Sequence, residues 1–176
     1  MRIIDLTLPM YTGMPVYPGD AEASIELVQT LNKDGWNMRR MRINTHDGTH
    51  LNVPVHVFIG GKTLDDYSLE HFCGVARIYN PNRAMTSLEG IIFSEQNISQ
   101  GIAEQIMEAR PRFVGLSNKY EIDPEIERSL LREGVILYEH LVNTEQLPNE
   151  FMFYGMPLKI KGGDGSPVRA FAIVES

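Results

Sequence analysis

The chain has 176 residues, 43% of them apolar and 22% charged, which is the composition of a globular protein long enough to bury a core. Its formal net charge of −7 argues against non-specific binding to nucleic acid or anionic lipid, whose phosphates repel such a surface. The single cysteine, Cys73, excludes an internal disulfide and a cysteine-rich zinc site, and buried filler is its expected role.

The opening MRIIDLTL reads as a first strand. It lacks the layout of a signal peptide, since Asp5 interrupts a short apolar stretch. No run of about 18 apolar residues follows, so a cytoplasmic protein of one domain, residues 1–176, is expected. YTGMPVYPGD is loop, because two prolines and two glycines forbid regular pairing. ASIELVQTL alternates like a strand, NKDGW turns it, and NMRRMRINT returns as another. Arg39, Arg40 and Arg42 make one local basic patch there, either a solvated strand face or an anion site. After the loop GGKTLDDYSLEHF, the segment GVARIYN is a strand. ISQGIAEQIMEAR has helical spacing at Ile98, Ile102, Ile106 and Met107, and Pro111 stops it. RFVGLS is a short buried strand. DPEIERSLLREG carries helix punctuation: Asp123 as N-cap, Pro124 at the first helical position, Gly134 as terminator. VILYEHL follows as a strand. FMFYGMPLKI and SPVRAFAIV are closing strands, joined by the turn KGGDG. The fold class is mixed α/β, with sheet layers and helices packed on one side.

One stretch resists a purely structural reading. THDGTHLNVPVHV, residues 45–57, holds three of the five histidines. His46, His50, Asn52 and His56 share one parity, but an extended chain would spread the first two roughly 13 Å apart. Ligands of one divalent ion must each lie ~2.0–2.2 Å from it. His46 and His50 therefore meet only if the chain curls between them. Gly48 permits that curl, Thr49 can brace it, and Pro54 fixes the direction in which His56 leaves. The spacing suits a metal or acid–base site; a histidine-rich polar loop is the alternative. Glu139 adds a second anomaly. It lies in an apolar row with Val135, Leu137 and Leu141, and a buried carboxylate costs several kcal/mol unless paired or metal-bound. Either the strand is an edge that leaves Glu139 wet, or the carboxylate pairs with an arginine, or it ligates a metal. His140 and His71 read as structural.

HDGTHLNVPVH resembles the motif H-x-G-T-H-x-D-x-P-x-H of the metal-dependent cyclase family, which includes bacterial kynurenine formamidases. MPVYPGD, GGKTLDDYSLEHFCG, LLREGVILYEHL and PLKIKGGDGSPVRAFAI are similar to further segments of that family, so the likeness covers most of the chain. The resemblance implies a swivelling β/β/α fold, a homodimer or homotetramer, and zinc or manganese in the site. It implies hydrolysis of an amide, typically the formamide of an aryl amine such as N-formylkynurenine in tryptophan catabolism. His46, His50 and position 52 match metal ligands, Glu139 matches the late carboxylate ligand, and His56 matches the motif histidine placed for acid–base work. Tyr17, Pro18 and Trp36 are the expected substrate contacts.

Three features depart from the family pattern. The motif aspartate is Asn52, a neutral and weaker ligand that bridges two cations poorly. A helix histidine of the family is Glu127, which is either a replacement ligand or a solvated carboxylate beside Arg128. The segment between GVARIYN and FVGLS is shorter than usual, which reshapes the substrate pocket. One ion per subunit is expected, zinc first, with manganese or iron also suited to mixed nitrogen and oxygen donors. The expected reaction is hydrolysis by a metal-activated water. The alternative is a family member that has lost catalysis and kept a small-ligand-binding or assembly role. A serine hydrolase is disfavoured, since no G-x-S-x-G elbow occurs.

Overall fold

The computed structural model describes residues 1–175. Its strands are β1 (Arg2–Asp5), β2 (Ser24–Gln29), β3 (Met38–Arg42), β4 (His50–Asn52), β5 (Cys73–Ile78), β6 (Gly90–Phe93), β7 (Phe113–Ser117), β8 (Leu137–Leu141), β9 (Glu150–Tyr154), β10 (Gly165–Pro167) and β11 (Phe171–Val174). The helices are α1 (Leu31–Asp34), α2 (Gln100–Ala109) and α3 (Pro124–Arg132). Nine strands form one sheet in the order β1-β11-β9-β5-β6-β7-β8-β4-β10, while β2 and β3 pair only with each other. The run β5-β6-β7-β8 is parallel and the flanking pairs are antiparallel.

Both long helices begin where the sequence places them. The Ser99 side chain accepts from Ile102 N, and Asp123 accepts from Glu125 N and Ile126 N. These side chains satisfy backbone donors that a helix start leaves orphaned. The two helices cover one face of the sheet. There Ile106, Leu130 and Leu131 pack against Ile91, Phe93, Val114 and Leu137. The opposite face holds Leu51, Ile92, Phe113, Tyr138, Phe153 and Ala172. It can be buried without a second helical layer because the sheet curls back on itself: Val142 N, just past β8, donates to Leu6 O, just past β1. The buried Tyr138 hydroxyl donates to Gly155 O at 2.8 Å, removing the cost of an unpaired polar group in that core.

Several expectations are corrected. The segment GIIF, at Gly90–Phe93, is a strand that the sequence reading left inside a connecting stretch, although it is fully buried between β5 and β7. A buried parallel strand shows no alternation to betray it. NKDGW is not a bare turn; one short helical turn, α1, ends on Gly35 in a left-handed conformation. SPVRAFAIV is two strands: β10 pairs with β4, and only β11 pairs with β9. KGGDG is therefore no simple hairpin turn. Cys73 is only half-buried. Leu141 does not share the Glu139 face, because His140 adopts φ of 58° and the register slips between Gly115 and Ser117. Leu137 faces the helices and Leu141 the opposite core. No helix among the described residues is long and apolar enough to cross a membrane.

Candidate metal centre

The site is built on β4 and the bend that precedes it. Gly48 has φ of 66°, a conformation costly for any residue with a Cβ. A Cβ there would also lie 3.1 Å from the Met14 methyl, so the N-terminal loop closes over the bend. Asp47 accepts from Asn44 N at 2.8 Å, and Thr49 Oγ1 donates to His140 O and accepts from Leu8 N. The bend is thus tied to β8 and to the segment after β1. It brings the His46 and His50 rings to a centroid separation of 5.4 Å, edge to face. Pro54 then opens a single 3₁₀ turn, where His56 N donates to Val53 O. That turn lays the His56 ring 4.0 Å from the His46 ring.

Three other segments complete the cluster. On β8, Glu139 lies opposite His50 in the β4–β8 register, with Oε1 at 3.7 Å from His50 Nε2. From α3, Glu127 comes to 3.9 Å from His56 Nε2. Asp164 arrives on the backbone just before β10, held by Val53 N on its carbonyl and by Thr45 Oγ1 on Oδ1. Its Oδ2 accepts from His46 Nε2 at 2.9 Å and stands 3.5 Å from His56 Nδ1. Gly165 makes this approach possible: a Cβ at that position would stand 2.5 Å from His46 Cε1.

Asn52 lies at the centre. Its Oδ1 accepts from His46 Nδ1 at 2.7 Å. Its Nδ2 donates to Glu127 Oε1 at 3.1 Å and also to Glu139 Oε1. His46, Asn52, Glu127, His56 and Asp164 therefore form a closed circuit of polar contacts, with Glu139 attached at Asn52 and His50 beside Glu139.

The electrostatics are those of a site short of positive charge. Glu127, Glu139 and Asp164 have no lysine or arginine within ion-pair distance among the described residues; Arg128 pairs with Glu125 instead. Burial, then the neighbouring Glu139, pushes the Glu127 carboxyl up to about 7. Burial also raises Glu139, against the opposing pull of His140 and the Asn52 amide. For Asp164 the upward push of burial is outweighed by the hydrogen bond and charge of His46, with Thr45, and the carboxyl is held low. Burial pushes His50 down to about 3, and its Nδ1 donates to Gly48 O at 2.8 Å. The ring is neutral near pH 7, with the Nε2 lone pair directed toward Glu139. Burial and His46 lower His56, partly countered by Asp164.

These features fit a divalent cation. The His46 nitrogens face Asn52 Oδ1 at 2.7 Å and Asp164 Oδ2 at 2.9 Å, and a neutral imidazole can donate to only one of these oxygens, leaving its other nitrogen available to a cation. Donor atoms of His46, His56 and Asp164 all lie within 4.8 Å of one another. Gly48 O also holds His50 in the tautomer that leaves a free ligating nitrogen, as metal-binding histidines commonly require.

All five expected ligands and His56 are gathered here: His46, His50, Asn52, Glu127, Glu139. Asp164 was overlooked, because Gly-Gly-Asp-Gly reads as a turn; its only signal was a carboxylate between glycines inside a segment resembling the family's C-terminal signature. Among the described residues, the expected substrate contacts Tyr17, Pro18 and Trp36 are exposed and make no hydrogen bond or ion pair with the cluster. Tyr17 is 72% exposed, and Trp36, 62% exposed on the β2–β3 unit, donates to Gln29 Oε1. Met14, from the N-terminal loop, is buried against the Gly48 bend.

The family model described as "Putative cyclase" matches residues 4–118. The chain is 28% identical to a kynurenine formamidase of Salinibacter ruber over 205 residues, covering 97% of this chain and 96% of that one. That span exceeds 176 residues, so the relative carries residues with no counterpart here. A kynurenine formamidase of Bacillus cereus is 25% identical, with 95% of each chain covered. Among solved structures, a potential metal-dependent hydrolase with cyclase activity superposes with a TM-score of 0.77 at 22% identity, covering 97% of this chain and 96% of that one. Isatin hydrolase A from Ralstonia solanacearum does so with a TM-score of 0.79 at 18% identity, covering 99% and 92%. These likenesses establish a shared fold.

Proposed function

Because the chain belongs to the putative cyclase family, we propose that it is a metal-dependent hydrolase of small-molecule amides, with an N-formylated aryl amine as the substrate class. The observation that carries the proposal is the convergence of three carboxylates on three imidazoles with no lysine or arginine to balance them. His46, His50, Asn52 Oδ1 and Glu139 are the proposed holders of one divalent ion, zinc first and manganese or iron next. Glu127 flanks them from α3.

When bound, such an ion lowers the pKa of a water and polarises a carbonyl. The remaining work falls to the chain. His56, its side chain 33% exposed, takes the proton of the attacking water and delivers it to the leaving nitrogen. Asp164, 3.5 Å from His56 Nδ1, holds the ring with Nε2 turned toward the interior of the site. The neutral His50 ring keeps its lone pair free for ligation.

The test joins elemental analysis of untreated protein with assays on a panel of aryl formamides and lactams, before and after chelation. Metal-free protein with full turnover ends the proposal. His56→Ala then separates two donor sets. In the arrangement proposed, the variant keeps its ion and loses turnover. If His46, His56 and Asp164 hold the ion, as their 4.8 Å grouping favours, it loses both. A non-catalytic reading draws on Asn52, whose amide already satisfies two carboxylates; it requires metal-replete protein that is silent on the whole panel.

We also propose a homo-oligomer in which the β2–β3 unit grips a second copy. No residue of β3 or α1 is buried, and Leu27, Leu31, Trp36, Met38 and Met41 are exposed on it. A two-stranded unit is marginal alone in water. It carries Lys33, Arg39, Arg40 and Arg42 against Glu26 and Asp34, in a chain of net charge −7, so the rest of a second copy is its electrostatic complement.

A further inference from the structure

One side-chain amide stands between the imidazoles and the carboxylates of this centre. Asn52 is 1% exposed and its polar atoms are divided between two environments. Its oxygen faces the imidazole side, where His46 Nδ1 lies 2.7 Å away. Its nitrogen faces the carboxylate side, where it reaches Oε1 of both Glu127 and Glu139. The reverse orientation would set a carbonyl oxygen against two carboxylates and lose both of those bonds, keeping only a contact with His46 Nδ1 as acceptor. The backbone of β4 leaves little freedom to escape: Leu51 and Asn52 pair with Tyr138 and Leu137 on one side, and with Ser166 and Gly165 on the other.

We propose that the Asn52 NH₂ group acts as a built-in substitute for a second cation, bridging Oε1 of Glu127 and Oε1 of Glu139 and restricting the centre to the single ion that His46, His50, Asn52 Oδ1 and the other Glu139 oxygen would hold. The inference rests on the metal-dependent reading above. A neutral amide supplies two N–H donors, one for each carboxylate, so the pair is joined without an ion. The same amide leaves its oxygen for the ion, beside the free Nε2 lone pair of His50 and a His46 nitrogen that gives up its hydrogen bond to ligate. An aspartate at position 52 would reverse both effects. It would bring a third negative charge beside two carboxylates, and that cluster then needs a second cation to be tolerated in a buried site. Glu127 is accordingly a partner of the amide rather than a ligand of the single ion.

The experiment counts ions in wild type, Asn52→Asp and Glu127→Gln. Each protein is stripped, reloaded with zinc or manganese, and read by elemental analysis and calorimetric titration. Thermal melting of the stripped forms provides a readout independent of loading. Wild type is expected to bind one ion per chain and Asn52→Asp two. Stripped Asn52→Asp should melt below stripped wild type and recover on reloading. Glu127→Gln should keep one ion with less than a 3-fold change in Kd. Two ions in wild type, one ion in a folded Asn52→Asp, or a 10-fold weaker ion in Glu127→Gln would overturn the amide role and leave the metal-dependent reading standing. Wild type that binds no ion overturns both. If Asn52→Asp does not fold even with metal present, the Glu127→Gln titration alone decides.

Discussion

Two regions of this molecule invert the usual placement of polar and apolar groups, in opposite directions. Around β4 the chain buries or half-buries two imidazoles, three carboxylates and an amide, with the exposed His56 ring at their edge. On the β2–β3 unit it leaves a tryptophan, two methionines and two leucines in water. Each inversion is costly for the isolated chain: unbalanced buried charge in the first case, and exposed apolar surface on a two-stranded ribbon in the second. Each cost is removed by a different missing partner, a cation in one and a protein surface in the other. The polar region is the more exacting, since its groups converge within hydrogen-bond distance from four separate segments.

The largest effect should come from removing a proposed ligand. His50→Ala is expected to lose the ion and to lower kcat/KM for an aryl formamide on the order of 10³-fold, measured on freshly purified protein. Retained metal with retained turnover would remove His50 from the ligand set.

Next comes the pH response of the chelated protein. The folded Glu127 carboxyl is pushed up to about 7, while an unfolded glutamate titrates near ~4.3. Between those values the folded state holds a proton that the unfolded chain has released. Its stabilising contribution is complete below ~4 and is lost as the pH rises through 7, by roughly 4 kcal/mol. His50, pushed down to about 3, acts oppositely and costs stability as the pH falls below ~6.5. Both forms share that term, so it cancels in a comparison of wild type with Glu127→Gln. Denaturant melts should show the variant gaining stability relative to wild type from pH 5 to pH 8. A flat difference would mean that Glu127 is solvated.

Asp164→Asn should lower turnover roughly 10–100-fold, the usual scale for a group that orients a metal-site histidine. Unchanged kinetics would remove Asp164 from the site. The smallest effect belongs to the other region: Leu27→Asp with Met41→Asp should weaken self-association at least ~10-fold in sedimentation, about 1.4 kcal/mol, without lowering the melting temperature of the monomer. A wild type that is monomeric at high concentration would sink the proposed grip.

The contrast also explains what could be read from sequence. Helices α2 and α3 were legible because their caps and 3.6-residue spacing are local signals, and the His46–His56 stretch because its bend needs Gly48 and Pro54 in place. The strand at Gly90–Phe93 was hidden, since burial on both faces erases alternation. Asp164 was hidden because its meaning is entirely non-local: it acquires a role only when β10 pairs with β4, more than 110 residues away. The helix-borne Glu127 was visible only through resemblance, because nothing in α3 itself distinguishes it from Glu125.

His140 deserves a last physical consequence. Its left-handed backbone resets the phase of β8 within a single residue, so that five residues serve two interiors. Upstream of it the strand directs a carboxylate to the helical layer; downstream it returns a leucine to the opposite core. A residue branched at Cβ resists that conformation, so His140→Val should shift Glu139 away from β4 while both cores stay filled. The molecule would keep its shape and lose the alignment on which its chemistry depends.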